Sequence, residues 1–224
     1  MTLDTAASPV VVDRETWEQA RNGILPIEKE ATRAADRAAA ARRTLPMTAV
    51  PDYEFDGEHG RVRLSELFGG RSQLIVQNFM FAPDWDAGCP SCSNLADSVP
   101  HLAHFAPYEI AFARVSRAPI EKLVAYNTRM GWSAPWVSSA NNSYNRDWGW
   151  TDDEGEIPGV SVYLRRPEQV FLTYTAQGRG VEILSGFAGY LDITPYGRQE
   201  RWEDSPDGWP QRPPHERNRR HDEY

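Results

Sequence analysis

The sequence predicts an α/β fold, with helices on both faces of a central mixed sheet. Apolar runs at 73–81 and 109–116 have strand length and alternate with helical segments, a pattern typical of parallel strands joined by crossover helices. Two later strands, at 159–165 and 169–175, are separated by only three residues, so they must pair antiparallel. A chain of 224 residues is long enough for one such domain with solvated extensions.

The composition excludes several classes of protein and of partner. Hydrophobic residues make up 40% of the chain, too many for a fully disordered protein. The net charge of -8 argues against nucleic acid and against an anionic membrane as partners, since both bind basic surfaces. No apolar run reaches the length of about 18 residues that a membrane helix needs, and the N-terminus lacks the pattern of a signal peptide. We therefore expect a cytoplasmic protein.

Residues 1–45 predict an N-terminal helical arm. Asp13 is placed to cap a helix, and Pro26 is expected to break or kink it. From Ile27 onward, small apolar residues recur three or four positions apart, which gives a long helix one alanine-lined face. Such a helix is only marginally stable alone, and its small side chains favour docking on another helix or a second subunit. We expect the arm to support a homodimer, with packing inside one subunit as the alternative.

The domain itself is expected over residues 46–194. A short hairpin and a helical turn ending on glycine precede the first buried strand. After the cysteine loop we expect a helix interrupted near Pro100, the second buried strand, a helix ending at Gly131 and a short third strand. A closing helix follows the antiparallel pair. Residues 195–224 contain five prolines and many charges, which alone suggests an unpacked end. We expect this segment to be an extended C-terminal tail that wraps the domain.

The cysteines of the chain form one Cys-Pro-Ser-Cys, after the loop that follows the first buried strand. Cys89 is expected at a helix N-terminus, where backbone donors and the helix dipole favour thiolate over thiol, and Pro90 suits the first helical position. Cys92, one turn inside the helix, is placed to attack a mixed disulfide on Cys89. We predict a redox-active disulfide with Cys89 as nucleophile and Cys92 as resolving thiol. Two ordinary small core residues are the alternative.

Other side chains in this region are candidates for supporting roles. Asp84 and Asp86 precede the cysteines, and a carboxylate there is a candidate general base for the proton of Cys92, although loop hydration or a turn is the favoured explanation of both. The neighbours expected to contact a substrate are Trp85, Pro90 and Ser91.

A metal site with the same thiols is the second interpretation. Two thiols exclude a four-cysteine zinc site, and His101 and His104 are the nearest supply of imidazole. Continuous helix would put His101 about 13 Å from Cys92, so only a break at Pro100 brings it back. A copper or zinc site with His101 therefore stays open, as does a non-catalytic interaction protein. The leading interpretation needs no metal and no cofactor.

Several longer stretches carry a resemblance to a known family. They include "FMFAPDWDAGCPSCS", "VSRAPIEKLVAYNTRMGW", "DITPYGRQE" and the final "RHDEY". From about Arg14 to Tyr224, the chain resembles the bacterial and fungal family filed as domain of unknown function 899. The resemblance implies a thioredoxin-like fold related to the peroxiredoxin branch, and it implies that the "RHDEY" end is a feature of the family.

Two departures from better-known relatives qualify the implied activity. Compared with peroxiredoxins, Asp86 takes the position of the hydroxyl residue that helps bind peroxide, and Gly159 stands in place of an arginine. Both changes argue against peroxidase activity. Compared with thioredoxins, Gly159 or Val160 takes the position of the cis-proline that lies close to the cysteines, so these two are the candidates for substrate contact at that position. We therefore expect a thiol-disulfide oxidoreductase, acting on a protein or small-molecule disulfide and restored by an external thiol reductant.

Overall fold

The computed structural model describes residues 7–224, and the chain divides into two units. The first contains the chain up to Pro46 together with Thr194–Pro214, and the second contains Met47–Ile193 together with His215–Tyr224. The first unit includes helix α1 (Arg14–Arg42). The strands of the second unit are β1 (Thr48–Val50), β2 (Glu54–Gly57), β3 (Gly60–Arg63), β4 (Gln73–Asn78), β5 (Ile110–Ser116), β6 (Trp136–Ser138), β7 (Gly159–Arg166) and β8 (Gln169–Gln177). Its helices are α2 (Pro90–Asp97), α3 (Ile120–Arg129), α4 (Tyr144–Asp147) and α5 (Gly186–Asp192).

Helix α1 is longer than its sequence predicts. Asp13 caps it, accepting a hydrogen bond of 2.8 Å from the amide of Thr16. The expected break at Pro26 is wrong, because the helix runs through this residue without interruption. Proline removes one backbone hydrogen bond, whereas an ion pair of 2.9 Å between Arg21 and Glu28 spans the site and strong helix formers follow it. None of the residues of α1 is buried.

The strands of the second unit form one mixed sheet, in the order β1-β8-β7-β4-β5-β6-β2-β3. Strand β4 pairs parallel with β5 and antiparallel with β7, and β8 closes the hairpin with β7. Helix α2 connects the parallel pair, as the βαβ pattern predicts. A βαβ unit followed by an antiparallel hairpin and a helix is the thioredoxin-like arrangement, so the predicted fold class is confirmed.

The two faces of the sheet carry separate apolar clusters. One contains Leu74 and Val76 of β4 with Tyr144 and Trp150. The other lies against α2 and α3 and contains Cys92 among aromatic side chains such as Phe79. The predicted strand at 73–81 ends as a strand at Asn78, and the residues that follow carry their side chains into this second cluster.

The helical segments differ in detail from their predicted outlines. Helix α2 ends at Asp97, and two short 3-10 helices, Leu102–His104 and Ala106–Tyr108, follow it. The closing helix divides into a 3-10 segment, Gly178–Leu184, and α5. No helix in residues 7–224 has the length and apolar character needed to cross a membrane.

The end of the chain is ordered against the second unit. Residues His215–Tyr224 belong to the second unit and end in a 3-10 helix, His221–Glu223, so the unpacked end that composition alone suggests is not found there. Its charged side chains have partners on the domain: Arg129 of α3 binds both carboxylate oxygens of Asp222, at 2.6 and 3.0 Å. A high content of charged residues suggests disorder, but composition does not show that these charges are paired with others in the domain.

Candidate dithiol site

The loop after β4 returns Cys89 to the end of the strand that precedes it. Cys89 is the N-cap residue of α2, and Pro90 occupies the first helical position, as predicted. The amide of Cys89 donates to the carbonyl of Met80 at 3.1 Å, which closes the loop. The Cys89 carbonyl accepts hydrogen bonds of 2.9 Å from both the amide and the hydroxyl of Ser93. The local backbone therefore fixes Cys89 where unpaired helix donors converge.

The two cysteines differ in burial. Cys92 is 4% exposed, whereas Cys89 is half-buried, and both are free thiols. The side-chain amide of Gln77, in the neighbouring strand, donates to the Cys92 carbonyl at 3.0 Å. The pair thus has an outer thiol that a reactant can approach and an inner one held against the sheet.

The electrostatics of the pair are just as unequal. The hydrogen bond from the Cys92 thiol, above all, lowers the pKa of Cys89 to about 6; the amides of Cys92 and Ser91 and the charge of Arg220 act in the same direction, against the effect of burial. The same hydrogen bond, together with complete burial, raises the pKa of Cys92. At neutral pH the pair therefore carries one negative charge, on Cys89.

The loop before the cysteines is tied to helix α3. The Lys122 ammonium donates to the carbonyls of Pro83 and Trp85, each at 2.9 Å. Asp84 and Asp86 are exposed in this loop, and the Trp85 side chain is also partly exposed beside them. The role of either carboxylate as a general base for the buried Cys92 stays a prediction.

The remaining predicted contact residues lie at different depths. Pro90 and Ser91 are half-buried at the helix start, beside Cys89. Gly159 and Val160 are buried in β7, opposite the last two residues of β4. The Trp150 ring covers Gly159 so closely that an added Cβ would lie 2.3 Å from it. The implied substrate contacts of Gly159 and Val160 stay a prediction.

The histidines considered for a metal site are engaged locally. His101 Nδ1 accepts a hydrogen bond of 3.2 Å from the amide of Ala103, and its ring lies 6.3 Å from that of His104. Within the described residues, no group of three or more His, Cys, Asp and Glu side chains is arranged to hold a metal ion.

Comparison with known families places this site in context. A family model described as "bacterial protein of unknown function (DUF899)" matches residues 6–224. The chain belongs to the DUF899 family. The resemblance drawn from the sequence is thereby confirmed. Among curated proteins, no match was found for this DUF899 protein.

Solved structures similar to the DUF899 protein include a peroxidoxin, a PrxQ and a hypothetical protein. The peroxidoxin BcpB from Mycobacterium tuberculosis has 17% identity and a TM-score of 0.48, over 62% of this chain and 93% of that one. A mutant of PrxQ from Xylella fastidiosa has 11% identity and a TM-score of 0.46, over 64% and 95%. The hypothetical protein SMc02350 from Sinorhizobium meliloti has 19% identity and a TM-score of 0.42, over 60% and 70%.

One residue of the DUF899 site escapes the sequence analysis. Arg220, in the final "RHDEY", donates from Nε and Nη2 to the Gly88 carbonyl at 3.0 and 2.6 Å. This carbonyl belongs to the peptide bond that enters Cys89. The resemblance implies that the "RHDEY" end is a feature of the family, and this is the signal in the sequence that points to the segment. The spacing of residues does not indicate that Arg220 binds the Gly88 carbonyl.

Proposed function

We propose that this protein is a thiol-disulfide oxidoreductase whose nucleophile is the Cys89 thiolate. The asymmetry of the pair carries the proposal: Cys89 has a lowered pKa and partial exposure, whereas Cys92 is buried with a raised pKa. A nucleophile must be ionised and reachable, and a resolving thiol must stay protonated until the first step is over. The thioredoxin-like fold, which carries the dithiol at a helix N-terminus, supports the same interpretation.

The proposed reaction has two exchange steps. The Cys89 thiolate attacks one sulfur of a substrate disulfide, forming a mixed disulfide and releasing the other sulfur as a thiolate. Cys92 then loses its proton and attacks the Cys89 sulfur, which forms the Cys89–Cys92 disulfide and releases the second substrate thiolate. Two electrons pass from the protein dithiol to the substrate, which leaves as two thiols. An external dithiol reverses both steps on the protein.

Conversion of Cys92 from donor to nucleophile follows from the hydrogen bond in the pair. Once Cys89 is bound in a mixed disulfide it carries no charge, so the main cause that raises the Cys92 pKa disappears. A base is still needed to accept the proton, and Asp84 or Asp86 is our proposed acceptor. A reducing compartment such as the cytoplasm suits a pair that works from the dithiol state.

The partners follow from this chemistry. The substrate is a protein or small-molecule disulfide, and Trp85, Pro90 and Ser91 are the neighbours proposed to contact it. We expect hydrogen peroxide to be a poor substrate, because of the residues at positions 86 and 159. Stopped-flow oxidation of the reduced protein by peroxide tests this, and a rate constant far above that of a free thiolate would contradict it.

Alkylation and trapping on single-cysteine variants test the proposal. In the Cys92→Ser variant, Cys89 should alkylate fast at pH 7, whereas in the Cys89→Ser variant Cys92 should alkylate slowly. With a small aromatic disulfide, Cys92→Ser should release one thiolate and keep a stable adduct on Cys89, and the wild type should release two. Faster alkylation of Cys92 than of Cys89 would show that the assigned roles are wrong. Metal content after mild purification distinguishes the metal-binding alternative.

A further inference from the structure

We infer that the C-terminal segment His215–Tyr224 is a working part of the dithiol site, with Arg220 as a positioning residue that orients the peptide entering Cys89 and places a positive charge beside it. This inference deepens the proposed function. It concerns how Cys89 is prepared for reaction rather than what Cys89 reacts with.

The Arg220 guanidinium is held in place by several hydrogen bonds. Two of its nitrogens converge on the carbonyl of Gly88, a buried residue, and a third, Nη1, donates to Glu223 at 2.7 Å. The Arg220 side chain is 17% exposed, so the surrounding structure holds the guanidinium in one orientation. Gly88 itself is closely packed, because a Cβ at this position would lie 2.6 Å from the Phe79 ring.

Contacts on either side of Arg220 attach the segment to helix α2. Asn218 donates to the hydroxyl of Ser91, the residue between the cysteines, at 2.9 Å. His221 lies 2.8 Å from Asp97, the last residue of the helix. Asp97 also accepts a hydrogen bond of 2.7 Å from the Trp132 indole. The segment therefore contacts both ends of the helix that carries the dithiol.

A second attachment holds the segment to helix α3. Arg129 binds Asp222 through two hydrogen bonds and lies 3.4 Å from Glu223, which in turn binds Arg220. A bidentate guanidinium-carboxylate pair fixes orientation as well as distance. The chain of contacts from Arg129 to Gly88 thus sets the place of Arg220 relative to Cys89.

The charged groups around Arg220 determine how it changes the pKa of Cys89, which its positive charge lowers. Cys92 and the Arg220 guanidinium act on Cys89, and the Tyr126 hydroxyl and the Glu223 carboxylate interact with Arg220 itself. Farther along the same contacts, Arg129 is paired with Asp222, and His221 lies against Asp97. Among the causes that lower the pKa of Cys89, the Cys92 hydrogen bond is the largest and the charge of Arg220 is a smaller one. The Glu223 carboxylate, paired with Arg220, offsets part of that positive charge.

The experiment compares three variants of the full chain by thiolate absorbance against pH and by alkylation of Cys89. Arg220→Met removes charge and donors, and should slow alkylation at pH 6 by about two- to five-fold, which corresponds to a pKa rise of about half to one unit. Arg220→Lys restores the charge and should recover part of the rate. Arg219→Met is the matched control, since Arg219 is exposed and its guanidinium donates to carbonyls of its own segment.

Each outcome bears on the inference separately from the proposed function. An Arg220→Met variant that keeps the wild-type circular dichroism spectrum and the wild-type Cys89 titration would overturn the inference. If that variant does not fold, Asp222→Asn, which leaves Arg220 in place but weakens its attachment, should slow alkylation in the same direction; an unchanged titration there would also overturn it. A wild type that reduces no disulfide refutes the oxidoreductase proposal alone, because these measurements require only the thiolate.

Discussion

Replacing Cys92 separates its two roles at Cys89, hydrogen-bond donor and resolving nucleophile. Cys92→Ser keeps a donor at the same position, since a hydroxyl donates as a thiol does, whereas Cys92→Ala keeps none. Neither variant can resolve a mixed disulfide. The Cys92 hydrogen bond is the largest cause that lowers the Cys89 pKa, so only the alanine variant should lose that lowering.

The expected size follows from the strength of a hydrogen bond to a charged group. Such a bond contributes about 1.5–3 kcal/mol, and one pKa unit corresponds to about 1.4 kcal/mol. Starting from a pKa of about 6, Cys89 in the Cys92→Ala variant should therefore titrate roughly one to two units higher. At pH 7 the thiolate fraction should fall from about nine-tenths to between about one-half and one-tenth. The amides of residues 91 and 92 and the charge of Arg220 remain, so the pKa should stay below that of a free thiol.

Absorbance near 240 nm, followed from pH 4 to pH 10, measures the thiolate directly in each variant. The wild type supplies the reference, and the rate of alkylation against pH gives an independent titration. Equal pKa values in the alanine and serine variants would refute the reasoning, because the contact within the pair would then contribute nothing to the ionisation of Cys89.

Three further predictions test other parts of the structure. As the pH rises, the reduction potential should fall by about 59 mV per pH unit below pH 6 and by about 30 mV per pH unit above it. Below pH 6 reduction of the disulfide takes up two protons, whereas above pH 6 Cys89 stays ionised and only one proton is taken up. A redox titration with one slope from pH 5 to 8 would contradict this. Gly159→Ala should lower the free energy of unfolding by at least about 1–3 kcal/mol through overlap with Trp150, whereas Gly189→Ala, which meets nothing within 4 Å, should cost nothing in the same urea titration. Sedimentation equilibrium should show a homodimer supported by α1, and a monomer at high micromolar concentration would refute it.

Local patterns account for the parts of the structure that the sequence predicts well. The apolar run at 73–81 and the Pro90 that opens the next helix are both short-range signals, and together they locate Cys89 at a helix N-terminus. The short connection before Gln169 leaves only an antiparallel pairing. Each of these conclusions depends on residues within one element or one loop of each other.

Longer-range contacts explain what the sequence does not predict. Arg220 and Gly88 are 132 residues apart, and one arginine among the 24 basic residues of the chain has no local feature that marks its partner. Pro26 is the opposite case, a strong local signal overridden by the residues around it, including the Arg21–Glu28 pair across it. Propensity alone ranks a proline as a helix terminator and does not weigh such compensation.

The separation of Arg220 from Gly88 along the chain also affects when the site is completed during synthesis. Ribosomes add roughly 5–20 residues per second, so a gap of 132 residues means that about 7–26 s pass between synthesis of the cysteine pair and synthesis of this arginine. During that interval the nascent domain already contains both thiols, but Cys89 lacks the neighbouring cation and the docked segment. On the role inferred for Arg220, Cys89 in that state should carry a smaller thiolate fraction at neutral pH, and it should therefore react more slowly with oxidants and with disulfides. Full reactivity of Cys89 should thus be reached only late in synthesis, after most of the fold is in place.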